Sequence, residues 1–253
     1  MSMDDTIEHV VEEENYFVSM TDMMVGLVFI FIIMLMYFVL QFRDVTDQLV
    51  GANRTRTEIL KQLERTLKAE GVDVQLDTQN GVLRLPDAIL FDSGHAELKP
   101  EGRIAVGHLA DALSDVLPCY TDFVQPGEQR PVSCPKSKHR IESVYVEGHT
   151  DQDPLSGGGL FRDNWDLSVV RATNTYREVT GLRPNLVDLC ARKPGGRCEP
   201  VLSVSGYGPQ RPVEVGDSDE TKRRNRRIDL RLIMVTPDAG QTAQAVAKQL
   251  GSK

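Results

Sequence analysis

The stretch that decides how this chain is built is "YFVSMTDMMVGLVFIFIIMLMYFVLQF", residues 16–42. From Met23 to Phe42 it carries no charged residue, and about twenty helical residues rising roughly 1.5 Å each cover about 30 Å, the hydrocarbon thickness of a bilayer. One membrane crossing is the reading. A cleavable signal peptide would need a basic start and a small-residue cleavage site. Here the preceding residues are acidic (Asp4, Asp5, Glu8, Glu12, Glu13, Glu14), and Gln41-Phe42-Arg43-Asp44 offers no such site. The exception inside the stretch is Asp22, a carboxylate at the head of the apolar run. An ionised side chain in a bilayer costs about 2.5–3.5 kcal/mol on insertion scales, so such groups face a protein interior or a water path, unless they sit at the headgroup boundary. Position alone leaves both open for Asp22.

Working outward, the 253 residues, 40% hydrophobic with a net charge of −8, provide one ordinary domain plus accessory segments. The acidic balance argues against a nucleic-acid partner, which needs a basic face. Orientation signals conflict. No Lys or Arg precedes Arg43, whereas Arg43, Arg54, Arg56 and Lys61 follow, which by loop charge alone would put the C-terminal part in the cytoplasm. The cysteines point the other way. Cys119 and Cys134 bracket one Pro/Gly-containing stretch and Cys190 and Cys198 another, so each pair can close a local loop, although four cysteines allow three pairings. Zinc is the competing use, but neither pair has C-x-x-C spacing. Two disulfides imply an oxidising compartment such as a periplasm, and they outweigh the loop charges.

The predicted organisation is a tail at 1–15, a transmembrane helix at 16–42, a linker helix at 43–71, an α+β domain at 72–236 and a C-terminal tail at 237–253, loosely helical or disordered. In the linker, Val45, Leu49, Ala52, Ile59 and Leu63 fall near a heptad with Arg56 and Thr66 spoiling two seam positions; it is either a short dimer-forming helix or a solvated spacer closed by Gly71. Beyond it, "VDVQLDTQNGVLRL" reads as a hairpin turning at Asn80-Gly81. The stretch "LKPEGRIAVGHLADALSDVL" reads as a helix, "RIESVYVEG" as a strand, and "NWDLSVVRATNTYREVTG" as a helix closed by Gly181. "VLSVSGYG" and "RRIDLRLIMV" are strands. Helices over one face of a sheet are expected.

Five of these segments together resemble the OmpA-like peptidoglycan-binding domain: "GVLRLPDAILFDSGHAELKPEG" (81–102), "VEGHTD" (146–151), "NWDLSVVRA" (164–172), "SGYGPQRPV" (205–213) and "RRNRRIDLRL" (223–232). The resemblance implies a peptidoglycan stem peptide as ligand, whose diaminopimelate presents a carboxylate and an ammonium on one carbon. By motif position, Arg171 forks the carboxylate and Asp151 accepts from the ammonium. Asn164 and Asn225 order the pocket loops or bind the peptide backbone. Of Arg226 and Arg227, one contacts ligand carboxylates and the other forms a fold-stabilising pair. The bland alternative is a bridge between Asp151 and Arg171. The Gly-rich loop 151–164 is longer than the family's, and 118–140 and 183–200 look inserted. His149 beside Asp151 raises a metal or acid–base reading, with His95, His108 and His139 in reserve, but their spacing matches no ligand motif; neither an enzyme, a metal nor a cofactor is expected.

"SMTDMMVGLVFIFIIMLM" (19–36) is similar to the single membrane helix of MotB, TolR and ExbD stator subunits, and MotB also pairs that helix with an OmpA-like domain. The resemblance implies that Asp22 carries the translocated ion, a proton or else sodium. It also implies a homodimer inside a pentamer of a MotA-like multi-span partner, in the inner membrane with the N-terminus cytoplasmic and the domain periplasmic. The acidic tail, compact linker and cysteine-bearing inserts resemble the B subunits of Zorya anti-phage defence, with a ZorA-like partner; flagellar stators and a passive wall anchor are the alternatives.

Overall fold

The computed structural model describes residues 3–124, 131–155, 160–193 and 195–236. The tail expected at 237–253 lies outside the described residues. The chain divides into two units, Met1–Leu49 and Val50–Lys253. A helix, α1 (Met3–Ala69), contributes to both.

In the first unit, the apolar side chains from Met23 to Leu40 are all exposed. Such a surface suits lipid, and without water to satisfy the backbone a single crossing segment must be helical. The helix is long and apolar enough to cross a membrane, with a window of mean hydropathy 2.9.

In the second unit, α1 has a different job. Ala52, Ile59, Leu60, Leu63 and Leu67 recur at helical spacing and are buried in the same core as the sheet. From Ala52 onward the heptad-like seam is therefore consumed within the chain, which corrects the expectation of a dimer seam or a solvated spacer over this part. Helix α1 ends at Ala69, and Gly71 follows with a φ of 78°, a left-handed conformation that favours glycine.

The main sheet has the order β1-β2-β8-β4-β7, built from β1 (Gln75–Asp77), β2 (Val82–Pro86), β4 (Ile141–His149), β7 (Leu202–Gly206) and β8 (Arg227–Met234). Only β4 and β7 pair in parallel; the other neighbours are antiparallel. The β1–β2 turn contains Asn80-Gly81 as expected, with Asp77 accepting from the Asn80 backbone N–H at 3.0 Å. On one face Leu83, Leu85, Val144, Val146, Ile228, Leu230 and Leu232 meet the core. Helices α3 (Pro100–Val116) and α4 (Asn164–Leu182) bury Val106, Leu109, Leu113, Ala172 and Val179 in it. Gly181 does not close α4: it lies inside the helix, which runs to Leu182 because no left-handed residue intervenes.

The two inserted stretches meet. Strand β3 (Asp122–Phe123) comes from one, β5 (Leu189–Arg192) and β6 (Cys198–Pro200) from the other, in a second sheet of order β3-β5-β6. Disulfide Cys190–Cys198 joins β5 to β6, and Cys119–Cys134 closes the first insert on itself, so the pairing is local in both cases.

One glycine fixes how closely α4 approaches β4. A Cβ on Gly148 would stand 2.0 Å from the Ser168 carbonyl oxygen, and backbone cannot yield there as a side-chain end can. Gly148→Ala should therefore lower the unfolding free energy of the full chain by about 3 kcal/mol, the upper end of overpacking costs. Urea denaturation in mild detergent measures it, and an unchanged midpoint would contradict this contact.

Candidate functional site

The loops at the ends of β4 and β8 carry the expected ligand residues, and local capping sets each in place. Asp163 caps α4 by accepting from the Asp166 N–H at 2.9 Å, while Arg162 grips Asp166 through two bonds of 2.8 and 3.0 Å. Asn164, the first residue of α4, is thereby aimed at the loop after β4, donating to the carbonyls of Asp151 (3.3 Å) and Asp153 (2.7 Å). A short helix, α5 (Asp219–Asn225), is capped by Ser218, and Asn225 at its end secures the 213–214 segment. The Asn225 Oδ1 accepts from Val213 and Glu214 N–H groups at 2.8 and 3.1 Å, and its Nδ2 donates to the Glu214 carbonyl at 2.8 Å. Both asparagines thus order loops, one of the two roles expected for them.

What these loops bring together is a chain of four alternating charges. Asp151 is ion-paired with Arg226. The Arg226 Nε lies 4.0 Å from Asp87 Oδ2, and Asp87 Oδ1 lies 3.0 Å from Arg171 Nη1. Asp87 is the first residue of a single turn of helix, α2 (Asp87–Leu90), and its backbone N–H donates to the Arg226 carbonyl at 3.2 Å. Arg171 also donates to the carbonyls of His95 (2.8 Å) and Asp92 (3.1 Å), and its guanidinium lies 5.0 Å from the centre of the Phe91 ring. Its side chain is 2% exposed against 35% for Arg226, so solvent reaches Arg226 and not Arg171. Burial pushes the Asp87 carboxyl up to about 6, against the opposing pull of Arg171 and Arg226.

A second charged group covers the sheet face opposite the helices. The register pairs Glu147 with Asp229, His149 with Arg227 and Arg84 with Asp229. Arg227 donates twice to Asp229 (3.1 and 3.0 Å), Arg231 once to Glu147 (2.8 Å), and the His149 ring stacks on Tyr207. Burial alone would raise Glu147, but the His149 ring 3.9 Å away and the Arg231 hydrogen bond hold it down to about 2. Donor atoms of Glu147, His149 and Asp229 lie within 4.8 Å of one another. Three guanidiniums (Arg84, Arg227, Arg231) already bond or face those carboxylates, so an added dication would meet like charge at close range; the chemistry fits an ion-pair network better than a metal centre.

No family model matches the chain. Motility protein B of Bacillus subtilis is 28% identical over 188 residues, 72% of this chain and 58% of that protein. The chain is similar to motility protein B. A second relative, motility protein B of Helicobacter pylori strain J99, is 25% identical over 165 residues, covering 64% and 50%. The chain thus spans little more than half the length of the curated relatives it matches. Among solved structures, a MotB-like protein of Desulfovibrio vulgaris aligns with a TM-score of 0.49 at 24% identity, covering 75% of this chain and 96% of that one. The cell wall anchor of the type VI secretion system from Pseudomonas aeruginosa aligns at 0.46 and 21%, covering 72% and 99%.

Measured against the MotB-like expectations, Asp151, Asn164, Asn225 and Arg226 gather at one loop cluster. Arg227 stands apart, 6% exposed and paired with Asp229 on the far sheet face, in the fold-stabilising role. Asp151 and Arg171 do not bridge directly; Arg226 and Asp87 stand between them. His95, His108 and His139 do not join His149: the His95 ring meets the Ser93 carbonyl, the His108 ring lies 3.6 Å from Glu70, and the His139 backbone N–H donates to the Ser137 hydroxyl. Asp87 was missed, although an acid placed directly after Pro86 at the start of a helical turn is a legible first-turn signal. Asp22, on α1 in the first unit, is exposed like its apolar neighbours.

Proposed function

We propose that the chain is a MotB-like stator subunit: a peptidoglycan-anchored, ion-conducting component of an inner-membrane complex, with its domain in the periplasm. The observation that carries this reading is one chain holding both an Asp22-bearing apolar helix and a second unit with an Asp151–Arg226 pair on ordered loops. Similarity to motility protein B supports it. A zwitterionic diaminopimelate centre engages the pair by exchange. Its carboxylate takes Arg226, its ammonium takes Asp151, and two intramolecular partners are traded for two intermolecular ones. Arg171 serves from behind, holding Asp87 and the 92–95 loop.

The mechanism couples that anchor to Asp22. A homodimer of the chain, seated in a pentameric MotA-like partner and tethered to the wall, cannot turn freely. Each protonation of Asp22 changes its preference between dry and wet surroundings and biases the partner ring to move. Proton is the proposed ion, with sodium as the other candidate. Within this reading we assign the chain to Zorya-type defence with a ZorA-like partner, favoured by the acidic tail and the disulfide-stapled inserts. Mild-detergent co-purification with mass spectrometry tests that finer assignment. A multi-span partner with a long cytoplasmic extension is expected, and a short flagellar-type partner would favour motility.

The anchor itself is tested by sedimentation of the full chain with purified diaminopimelate-containing sacculi. Asp151→Ala and Arg226→Ala should each cut retention at least tenfold, the size of a lost charge-assisted contact of about 1.4–3 kcal/mol. Full retention by both variants would overturn the site.

A further inference from the structure

The expected ligand arginine, Arg171, is saturated by its own protein, and the group that saturates it is a buried acid also facing the arginine a ligand can reach. We propose that Asp87 is the positioning residue of the wall-binding site and its proton-responsive control: seated between Arg171 and Arg226, it decides by its charge how strongly Arg226 receives a carboxylate. This rests on the wall-binding reading above.

The geometry gives the carboxylate two duties. Oδ1 holds Arg171 at 3.0 Å in a site where the guanidinium is otherwise fixed by two carbonyls and the Phe91 ring, and Oδ2 faces Arg226 Nε at 4.0 Å. The backbone N–H of Asp87 meanwhile fixes the Arg226 main chain at 3.2 Å, so the side chain of Arg226 is aimed while its base is held. Asp87 itself is 4% exposed and never reaches a ligand.

The charged groups around it are Arg171 on α4, Arg226 after α5, Asp151 after β4 and Lys99 ahead of α3, whose Nζ donates to the Ala88 carbonyl at 2.5 Å. With Asp87 ionised, Asp151, Arg226, Asp87 and Arg171 sum to zero. With Asp87 protonated, they sum to plus one, and Arg226 loses one of its two competing internal carboxylates. A ligand carboxylate is then held more strongly. Burial places this change near pH 6, above the range in which stem-peptide carboxylates titrate. Wall affinity therefore rises as the compartment acidifies from pH 7.5 to 5.

The test is sedimentation of full-length chain, in mild detergent, with purified diaminopimelate-containing sacculi between pH 5 and 7.5. Wild type should bind about tenfold more tightly at pH 5, the effect of one unit charge roughly 10 Å from the ligand at an effective dielectric of about 20. Asp87→Asn should bind at pH 7.5 as wild type does at pH 5 and lose the pH response; Asp87→Glu should restore the response. A flat wild-type profile, or a wild-type response that survives in Asp87→Asn, overturns the proposal, the second result assigning the response to a histidine. Should Asp87→Asn melt below the assay temperature, the wild-type and Asp87→Glu profiles still decide. If Arg226→Ala fails to reduce retention, the wall-binding reading itself fails; if it abolishes retention while wild type is flat, only the role of Asp87 falls.

Discussion

Replacing Arg171 by alanine should destabilise the fold before it reveals anything about ligand binding. Removing one partner of a buried ion pair costs about 3–5 kcal/mol, because the other charge is left without compensation. Here that charge is Asp87, 4% exposed, and the 92–95 loop loses two hydrogen bonds at the same time. For a unit of this size each kcal/mol corresponds to roughly 2–4 °C, so the melting temperature should fall by on the order of 10 °C. The loss should depend on pH in a defined direction. The folded-state pKa of Asp87, about 6, lies above the ordinary carboxyl value, so the folded state binds the extra proton between about pH 4 and 6 and its stability is greater on the acid side. In Arg171→Ala the attraction that favours ionised Asp87 is gone, so the deficit should be largest at pH 8 and should shrink toward pH 5. Melting of the full chain in detergent, followed by the fluorescence of Trp165, its one tryptophan, measures both. A variant that melts like wild type at pH 8 but fails to bind sacculi would return Arg171 to the ligand-contacting role that its motif position implies.

The second large effect belongs to the membrane helix. Asp22→Asn should reduce ion flux through the assembled complex to the level of vesicles lacking the chain, with expression and co-purification of the multi-span partner unchanged. Asparagine has nearly the shape of aspartate and hydrogen-bonds as well, but it cannot take up or release a proton, so it separates chemistry from packing. It also removes the insertion cost of an ionised group, so the variant helix is not expected to insert less well. Flux measured by a pH-sensitive dye in vesicles holding both subunits tests this. Normal flux would place Asp22 at the headgroup boundary and leave the chain a passive wall anchor.

Local physics explains why much of this architecture was legible in advance. Twenty uncharged residues can do little but form a helix that needs an apolar surrounding, and nothing beyond residues 23–42 is needed to see it. Alternation along Ile228–Met234 and the helical spacing of Leu109, Ala112, Leu113 and Leu117 declare one buried face each, whereas Ile104, at the same spacing, is exposed. The hairpin at Asn80-Gly81 acts within a few residues of itself. The motif residues of the ligand loops were likewise nameable one by one.

What needed the tertiary structure was every pairing between elements distant in sequence. The stripe Ala52–Leu67 states that a face is apolar and not whether a second chain or the chain's own sheet covers it. The cysteines could pair in three ways, and the folded chain joins Cys119 to Cys134 and Cys190 to Cys198. Arg171 and Asp87 are separated by 84 residues, and only the packing of α4 against the α2 turn shows that the first is spent internally while Arg226 stays within reach. Charge type is written in the residue; the partner that neutralises a charge, and the burial that makes the pairing matter, exist only once the chain has folded.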